Sequence, residues 1–251
     1  MAGHSKWANI KHRKGRQDAK RSKVWSKCSR AIIVAAKNGG SGDPAMNLTL
    51  RYAIEDAKAQ NMPKDTIAKA IEKGTGGGDG VSYEEILYEG YGPNGVAIML
   101  DILTDNRNRS AAEIRKLFEK GGGNQGTSGS VAFNFERKGE FYIEKEHASE
   151  EKLMNTTLEA GAEDIEDDGD AWHILCDPSD FIAVKEALEA ADIAMASSGV
   201  NQIAINTVEC TGKDVGKVMR MIESFEDNDD VQKVHANFDI SDEEMAKLEG
   251  E

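Results

Sequence analysis

The chain has 251 residues, 39% hydrophobic and 30% charged, with a net charge of −14 and only 6% aromatic side chains. That is enough for one large domain or two to three small ones, with cores of Ile, Leu, Val, Ala and Met. No apolar run approaches the roughly 20 residues of a membrane span, and the basic start lacks the apolar stretch of a secretory signal.

Residues 1–37 hold eleven Lys and Arg against one carboxylate, Asp18, a local +10 that leaves −24 on the rest of a −14 chain. A molecule so polarised has one end that seeks a polyanion and a remainder that avoids one. Lys6, Lys11, Arg13, Lys14, Arg16, Lys20, Arg21 and Lys23 supply the charge, Trp7 a flat surface for stacking on an unpaired base, and His12 a pH-sensitive contact. An Arg-rich, acid-poor start also suggests a mitochondrial transit peptide, but those are amphipathic and here the charge lies on every side of the helix. Cys28, Cys176 and Cys210 are odd in number, far apart and without a C-x-x-C pair, so each is expected to fill an apolar position in a reducing compartment, the cytoplasm.

Taken in order, residues 4–16 have little to bury and read as an arm. From Asp18, Val24, Cys28, Ala31, Ile32 and Ala35 mark one helix face ending near Asn38-Gly39-Gly40, with Lys20, Lys23, Lys27 and Arg30 on its other sides. Further helices are predicted over 47–60 and from Pro63 to Gly74, completing a small bundle. A glycine-rich linker, 74–80, closes it. The period then changes to two. Strands over 83–91 and 96–104 flank the turn Gly92-Pro93-Asn94-Gly95, and Ser110-Ala111-Ala112-Glu113 reads as a capping box opening a helix that stops at Gly121.

Two strands around Lys138-Gly139, a helix over 150–160, strands over 162–167 and 171–177, a helix over 180–190 and a strand near 192–197 follow. Their order is that of a ferredoxin-like module. A closing strand (202–210), a helix (214–225, capped by Thr211) and a strand (231–238) need a partner sheet, with Ser241 and Glu244 in a second capping box. The prediction is therefore an α+β protein: residues 1–80 a basic arm and helical domain, 81–130 with 202–251 a discontinuous α/β domain, and 131–201 a ferredoxin-like domain inserted into it.

Two further stretches invite chemistry. Arg107 and Arg109, by a helix N-terminus, suit an anion such as phosphate, unless the loop is a mere connection. Gly121-Gly122-Gly123-Asn124-Gln125-Gly126 matches a dinucleotide fingerprint in letters, but a helix precedes it and a strand follows, the reverse of that motif. It is expected to be a long mobile loop. Asp164, Glu166, Asp168 and Asp170 lack the closing Glu of a calcium loop, and 226–230 reads as a solvated acidic loop. No zinc, nucleophile-elbow or P-loop motif occurs, so no enzyme, catalytic residue, metal, cofactor or small-molecule substrate is expected.

Gly3-His4-Ser5-Lys6-Trp7-Ala8-Asn9-Ile10-Lys11-His12-Arg13-Lys14 with Asp18-Ala19-Lys20-Arg21 resembles the opening signature of the YebC family. The likeness continues through Asn61-Met62-Pro63-Lys64-Asp65, Tyr88-Glu89-Gly90-Tyr91-Gly92-Pro93, Thr104-Asp105-Asn106-Arg107-Asn108-Arg109 and 121–133. The family includes the bacterial regulators called YebC and PmpR and the mitochondrial translational activator of cytochrome oxidase. The resemblance implies three α+β domains and a regulator of gene expression. Bacterial members are described as transcriptional regulators that bind DNA, and members also as ribosome-associated translation factors that help synthesis through proline-rich stretches. The partner expected of the arm is thus DNA or ribosomal RNA, with the ribosome or transcription machinery beyond it and no membrane. The expected nucleic-acid contacts are the arm residues above with Arg107 and Arg109. Metal-dependent phosphoesterase and protein adaptor are the alternatives of other classes.

Overall fold

The computed structural model describes residues 18–76, 82–241 and 243–244. Arm residues 1–17 and most of the predicted glycine linker lie outside that set. The architecture is α+β and divides into two compact units, residues 136–203 and the chain on either side of them, so that one α/β domain interrupts another. No helix among the described residues is long and apolar enough to cross a membrane.

Helices α1 (Asp18–Asn38), α2 (Leu48–Ala59) and α3 (Lys64–Thr75) form the bundle. Ile32, Ala35, Ala36, Leu50, Ile54, Ala57, Ile67 and Ala70 recur at helical spacing and are buried together, with Trp25 and Cys28 packed against them. Asn47 caps α2 by accepting from the Leu50 N–H at 3.0 Å, while its amide donates to Ala35 O at 2.8 Å. Gly74 lies inside α3 rather than after it. A Cβ there would sit 2.6 Å from Ile33 O and 2.7 Å from the Ala36 Cβ, so its absence lets α3 close on α1.

The second domain is built on the sheet β3-β1-β2-β9: β1 Glu84–Tyr91, β2 Ala97–Thr104, β3 Asn124–Gln125 and β9 Val231–Ala236. The central β2 pairs antiparallel with β1 and β9 and is buried along almost its whole length. Helices α4 (Arg107–Lys120) and α7 (Lys213–Glu226) pack through Phe118 and Phe225, ring centroids 4.7 Å apart. Ala97, Met99, Val131 and Phe135 form a second apolar cluster. Short strands β8 (Val208–Glu209) and β10 (Phe238–Asp239) pair parallel beside this sheet.

The inserted unit runs β4 (Phe135–Glu144), α5 (Glu150–Thr157), β5 (Ala162–Asp168), β6 (Ala171–Cys176), α6 (Phe181–Ala190) and β7 (Ser197–Ala204). Its sheet order β5-β6-β4-β7 places the second, third, first and fourth strands side by side, the ferredoxin-like arrangement.

Several local readings are corrected. Lys138-Gly139 makes no turn: β4 runs straight through it, and a Cβ at Gly139 would lie 2.6 Å from Cys176 Sγ on the paired strand. The strand placed near 192–197 begins at Ser197 and runs on to Ala204, so the one placed at 202–210 is divided between the end of that strand and Val208–Glu209. Helix α7 takes Gly212, at φ 55, as its N-cap instead of Thr211. Helix α4 starts three residues before the expected capping box, with Asn106 accepting from the Arg109 N–H at 3.1 Å. Beyond Ser241, whose hydroxyl accepts from the Glu244 N–H at 3.4 Å, most of the closing helix lies outside the described residues.

Candidate nucleic-acid interface

With Trp25, Cys28, Ile32 and Ala35 committed to the bundle core, Lys23, Lys27 and Arg30 fall on one line of α1, spaced four and three residues apart. The sequence puts them on the outer sides of the helix and reads 226–230 as a solvated loop; in the structure Asp227 and Asp229 are exposed but Asp230 is buried. The three cations meet the end of α7 and that loop. The last turn of a helix leaves carbonyls without intrahelical donors and carries the negative end of the dipole, so cations settle there.

Lys23 Nζ donates to Asp227 O and pairs with Asp229 Oδ1 at 3.1 Å. Lys27 Nζ donates to Glu226 O at 2.7 Å, and Arg30 Nη1 approaches Asp230 Oδ1 at 3.4 Å. Burial, with Lys23 beside it, pulls the Lys27 amine down to about 8. Lys233 of β9 adds a contact at 3.0 Å to Asp56 of α2.

Asp230 is the hub of this contact. It is buried, and its Oδ2 accepts from Arg109 Nη2 at 2.7 Å, Ser110 Oγ at 2.7 Å and Thr104 Oγ1 at 3.1 Å. Burial pushes its pKa up, but Arg109, Ser110 and Thr104 outweigh that and hold it below the ordinary carboxylate value. Ser110, expected to cap a helix, is instead buried in this network. A polar cleft of about 550 Å³ opens beside it, lined by Ser26, Arg30, Tyr83, Arg109, Glu113 and the loop 227–230.

Of the expected site residues, Lys6, Trp7, Lys11, His12, Arg13, Lys14 and Arg16 lie outside the described residues. Lys20 and Arg21 fall in the first turn of α1, with side chains outside that set as well. Lys23 belongs to the contact with α7. Arg109 reaches Asp105 at 2.9 Å as well as Asp230, whereas Arg107 is exposed at the first position of α4.

The glycine-rich stretch 121–129 is not free. Strand β3 pairs with β1, and Tyr91 donates to Ser130 O at 2.8 Å. The buried Glu89 carboxylate accepts from the N–H groups of Gly129, Val131 and Ala132 at 2.7, 2.8 and 2.9 Å. Within 121–129, Gly126 N–H donates to Glu89 O at 2.8 Å, and Gly121, Gly122 and Gly123 N–H donate to carbonyls at the end of α4. Among the described residues one trio of metal-type donors lies together, Glu144, Glu146 and His147, two of them exposed on a surface turn. The three cysteines are free, and burial raises the Cys28 and Cys176 thiols to about 11 and about 12.

Sequence reading missed Asp229, Asp230, Thr104 and Glu89. A signal existed for the first two: a basic stripe on one helix and an acidic run just past the end of another are complementary. Nothing in the sequence marks Glu89 among its acidic neighbours.

Comparison with known proteins places these features in a family. Residues 5–77 match the model described as the TACO1/YebC protein N-terminal domain, and residues 83–238 the model described as TACO1/YebC second and third domain. A protein of Rubrobacter xylanophilus named "Probable transcriptional regulatory protein" is 51% identical over 251 residues, 100% of both chains. One of the same name from Natranaerobius thermophilus is 54% identical, covering 98% of this chain and 99% of its own. The crystal structure of the conserved hypothetical protein Aq1575 from Aquifex aeolicus aligns with TM-score 0.78 and 42% identity, over 90% of this chain and 93% of that one.

Proposed function

The chain belongs to the TACO1/YebC family, and from that premise we propose that it is a non-enzymatic, nucleic-acid-binding regulator of gene expression. The observation that carries this reading is the separation of charge: +10 on residues 1–37 against −24 on the rest. The names of its relatives point the same way. Lys23, Lys27 and Arg30 are engaged within the protein, so the grip falls first to Lys6, Lys11, Arg13, Lys14, Arg16, Lys20 and Arg21, with Trp7 as a stacking platform. Arg107, exposed at the start of α4, adds one cation on the second domain.

A second reading has the same arm sit on ribosomal RNA in a translation factor. Occupation of the α1 cations favours it, because a helix whose basic line is already covered is a poor reader of a duplex major groove. An arm with an aromatic ring suits unpaired bases.

Titrating duplex DNA and ribosomes with the full chain at two salt concentrations tests both readings. Six phosphates neutralised on a duplex give a log–log salt slope of about −5. Neutralising Lys11, Arg13, Lys14, Arg16, Lys20 and Arg21 together is expected to abolish binding and flatten the slope. Undiminished affinity in that variant rules out the proposal, and duplex binding that fails at physiological salt while ribosome binding persists selects the second reading.

A further inference from the structure

We infer that Lys23, Lys27 and Arg30 form a second phosphate-binding surface, covered in the free protein by the end of α7 and its acidic loop and uncovered when nucleic acid displaces them. The inference rests on the nucleic-acid reading above and adds to it a control of access.

The groups that cover the three cations imitate what phosphate offers. Two are carbonyl oxygens, Glu226 O and Asp227 O, and two are carboxylates, Asp229 and Asp230. A phosphate chain supplies more charge to the same donors, and supplies it in a row. Lys23, Lys27 and Arg30 span about 10 Å of helix axis at 1.5 Å per residue, directly after Lys20 and Arg21. A strand held by the arm therefore meets this line next.

Release leaves little unsatisfied. Asp230 keeps Arg109, Ser110 and Thr104 on Oδ2, its own N–H keeps the Asn228 side chain at 2.9 Å, and its carbonyl keeps the Leu103 N–H at 2.8 Å. Arg30, at 3.4 Å, is the longest of its contacts. The Asp229 side chain is 71% exposed, so its pairing with Lys23 has the weakness of surface ion pairs, and the freed carbonyls can turn to water. On the donor side, burial and the neighbouring Lys23 disfavour the charge of Lys27 where it sits, and a phosphate partner relieves that. Asp230 thus keeps three donors without Arg30, while the nearest atom covering Lys27 is the uncharged carbonyl of Glu226. That imbalance makes the contact a cover rather than a foundation.

The test uses the full chain and a carbodiimide, which joins Lys23 Nζ to the Asp229 carboxylate as an amide only while the two are in contact. Cross-linked peptide is quantified by mass spectrometry without nucleic acid, and with saturating 5′-hydroxyl single-stranded RNA or duplex DNA at the same ionic strength, while binding is followed by fluorescence anisotropy. The expected result is a ready cross-link in the free protein that falls at least several-fold on binding. Asp229→Asn, which weakens the cover at an exposed position, is expected to tighten nucleic-acid binding two- to five-fold. Binding that leaves the cross-link yield unchanged overturns the inference and leaves the arm reading intact. So does an Asp229→Asn variant with parental affinity. Absence of any binding removes both.

Discussion

Glu89 shows how one residue decides the shape of a long loop. Its carboxylate is buried and accepts three backbone N–H groups from the stretch 129–132, which leads into a single 3-10 turn at Ala132–Asn134. Burial pushes its pKa up, but the three donors more than offset this and hold it below its ordinary value of 4.5. A carboxyl lowered in the folded state contributes stability that is complete above its ordinary value and is lost as pH falls through the folded one. Glu89→Gln keeps the shape but replaces one acceptor oxygen with a donor aimed at other donors. At pH 7 it is expected to cost about 2–3 kcal/mol in urea denaturation. The gap between variant and parent should narrow once pH drops below 4.5, where the carboxyl of the unfolded parent takes up a proton that the folded one still refuses. A gap that stays constant down to pH 3 contradicts the charged role of Glu89.

Among the elements, those that repeat a period over many residues were legible, and those fixed by a distant partner were not. The bundle helices and the β-α-β-β-α-β order follow from spacing of apolar side chains, because one face of each element has to be covered. The start of α4 did not follow. Ser110 and Glu113 satisfy the letters of a capping box, but Ser110 is drawn into the core by Asp230, 120 residues away, and Asn106 takes the cap. Lys138-Gly139 reads as a turn, yet the glycine is there because Cys176 and Phe181 occupy the space of its side chain. The candidate site divides the same way: its cations were visible as composition, but the loop that covers three of them needed the fold. Gly74 separates the two kinds of effect in one substitution. In an isolated helix Gly74→Ala gains about 1 kcal/mol of propensity. Here the new methyl meets the Ile33 carbonyl at 2.6 Å, a backbone atom that cannot swing away. The clash is expected to win, with a net loss of about 1–3 kcal/mol on thermal or urea unfolding. Net stabilisation by Gly74→Ala shows instead that α1 and α3 can part at no cost.

At the scale of the whole molecule, just over half of the negative charge outside the basic end sits in the inserted unit. Residues 136–203 hold 18 Asp and Glu against five Lys and Arg, −13 of the −14 total, so the chain on either side is close to neutral while carrying its basic end. An anionic body tethered to a phosphate-seeking arm lowers the association of the arm with any polyanion wherever salt does not screen it. The fold lets this be measured, because the two chain crossings into the unit are already joined on its outer side. Ile205 N donates to Asn134 O at 2.8 Å, and Asn206 exchanges amide hydrogen bonds with the Asn134 side chain at 2.8 and 3.0 Å. Asn237 secures the same corner by donating to Asn206 O at 2.9 Å and accepting from the Ala97 N–H at 2.7 Å. A short glycine linker from Phe135 to Ala204 in place of 136–203 is therefore expected to leave a chain that still unfolds in one cooperative thermal transition. Its affinity for duplex DNA or RNA should exceed that of the full chain several-fold at about 50 mM salt and converge with it near 1 M, where the Debye length is about 3 Å. The log–log salt slope should steepen by about half a unit over that range, on top of the contribution of the phosphates the arm neutralises, which stays the same. Weaker binding after excision would instead assign the inserted unit a direct part in holding the nucleic acid.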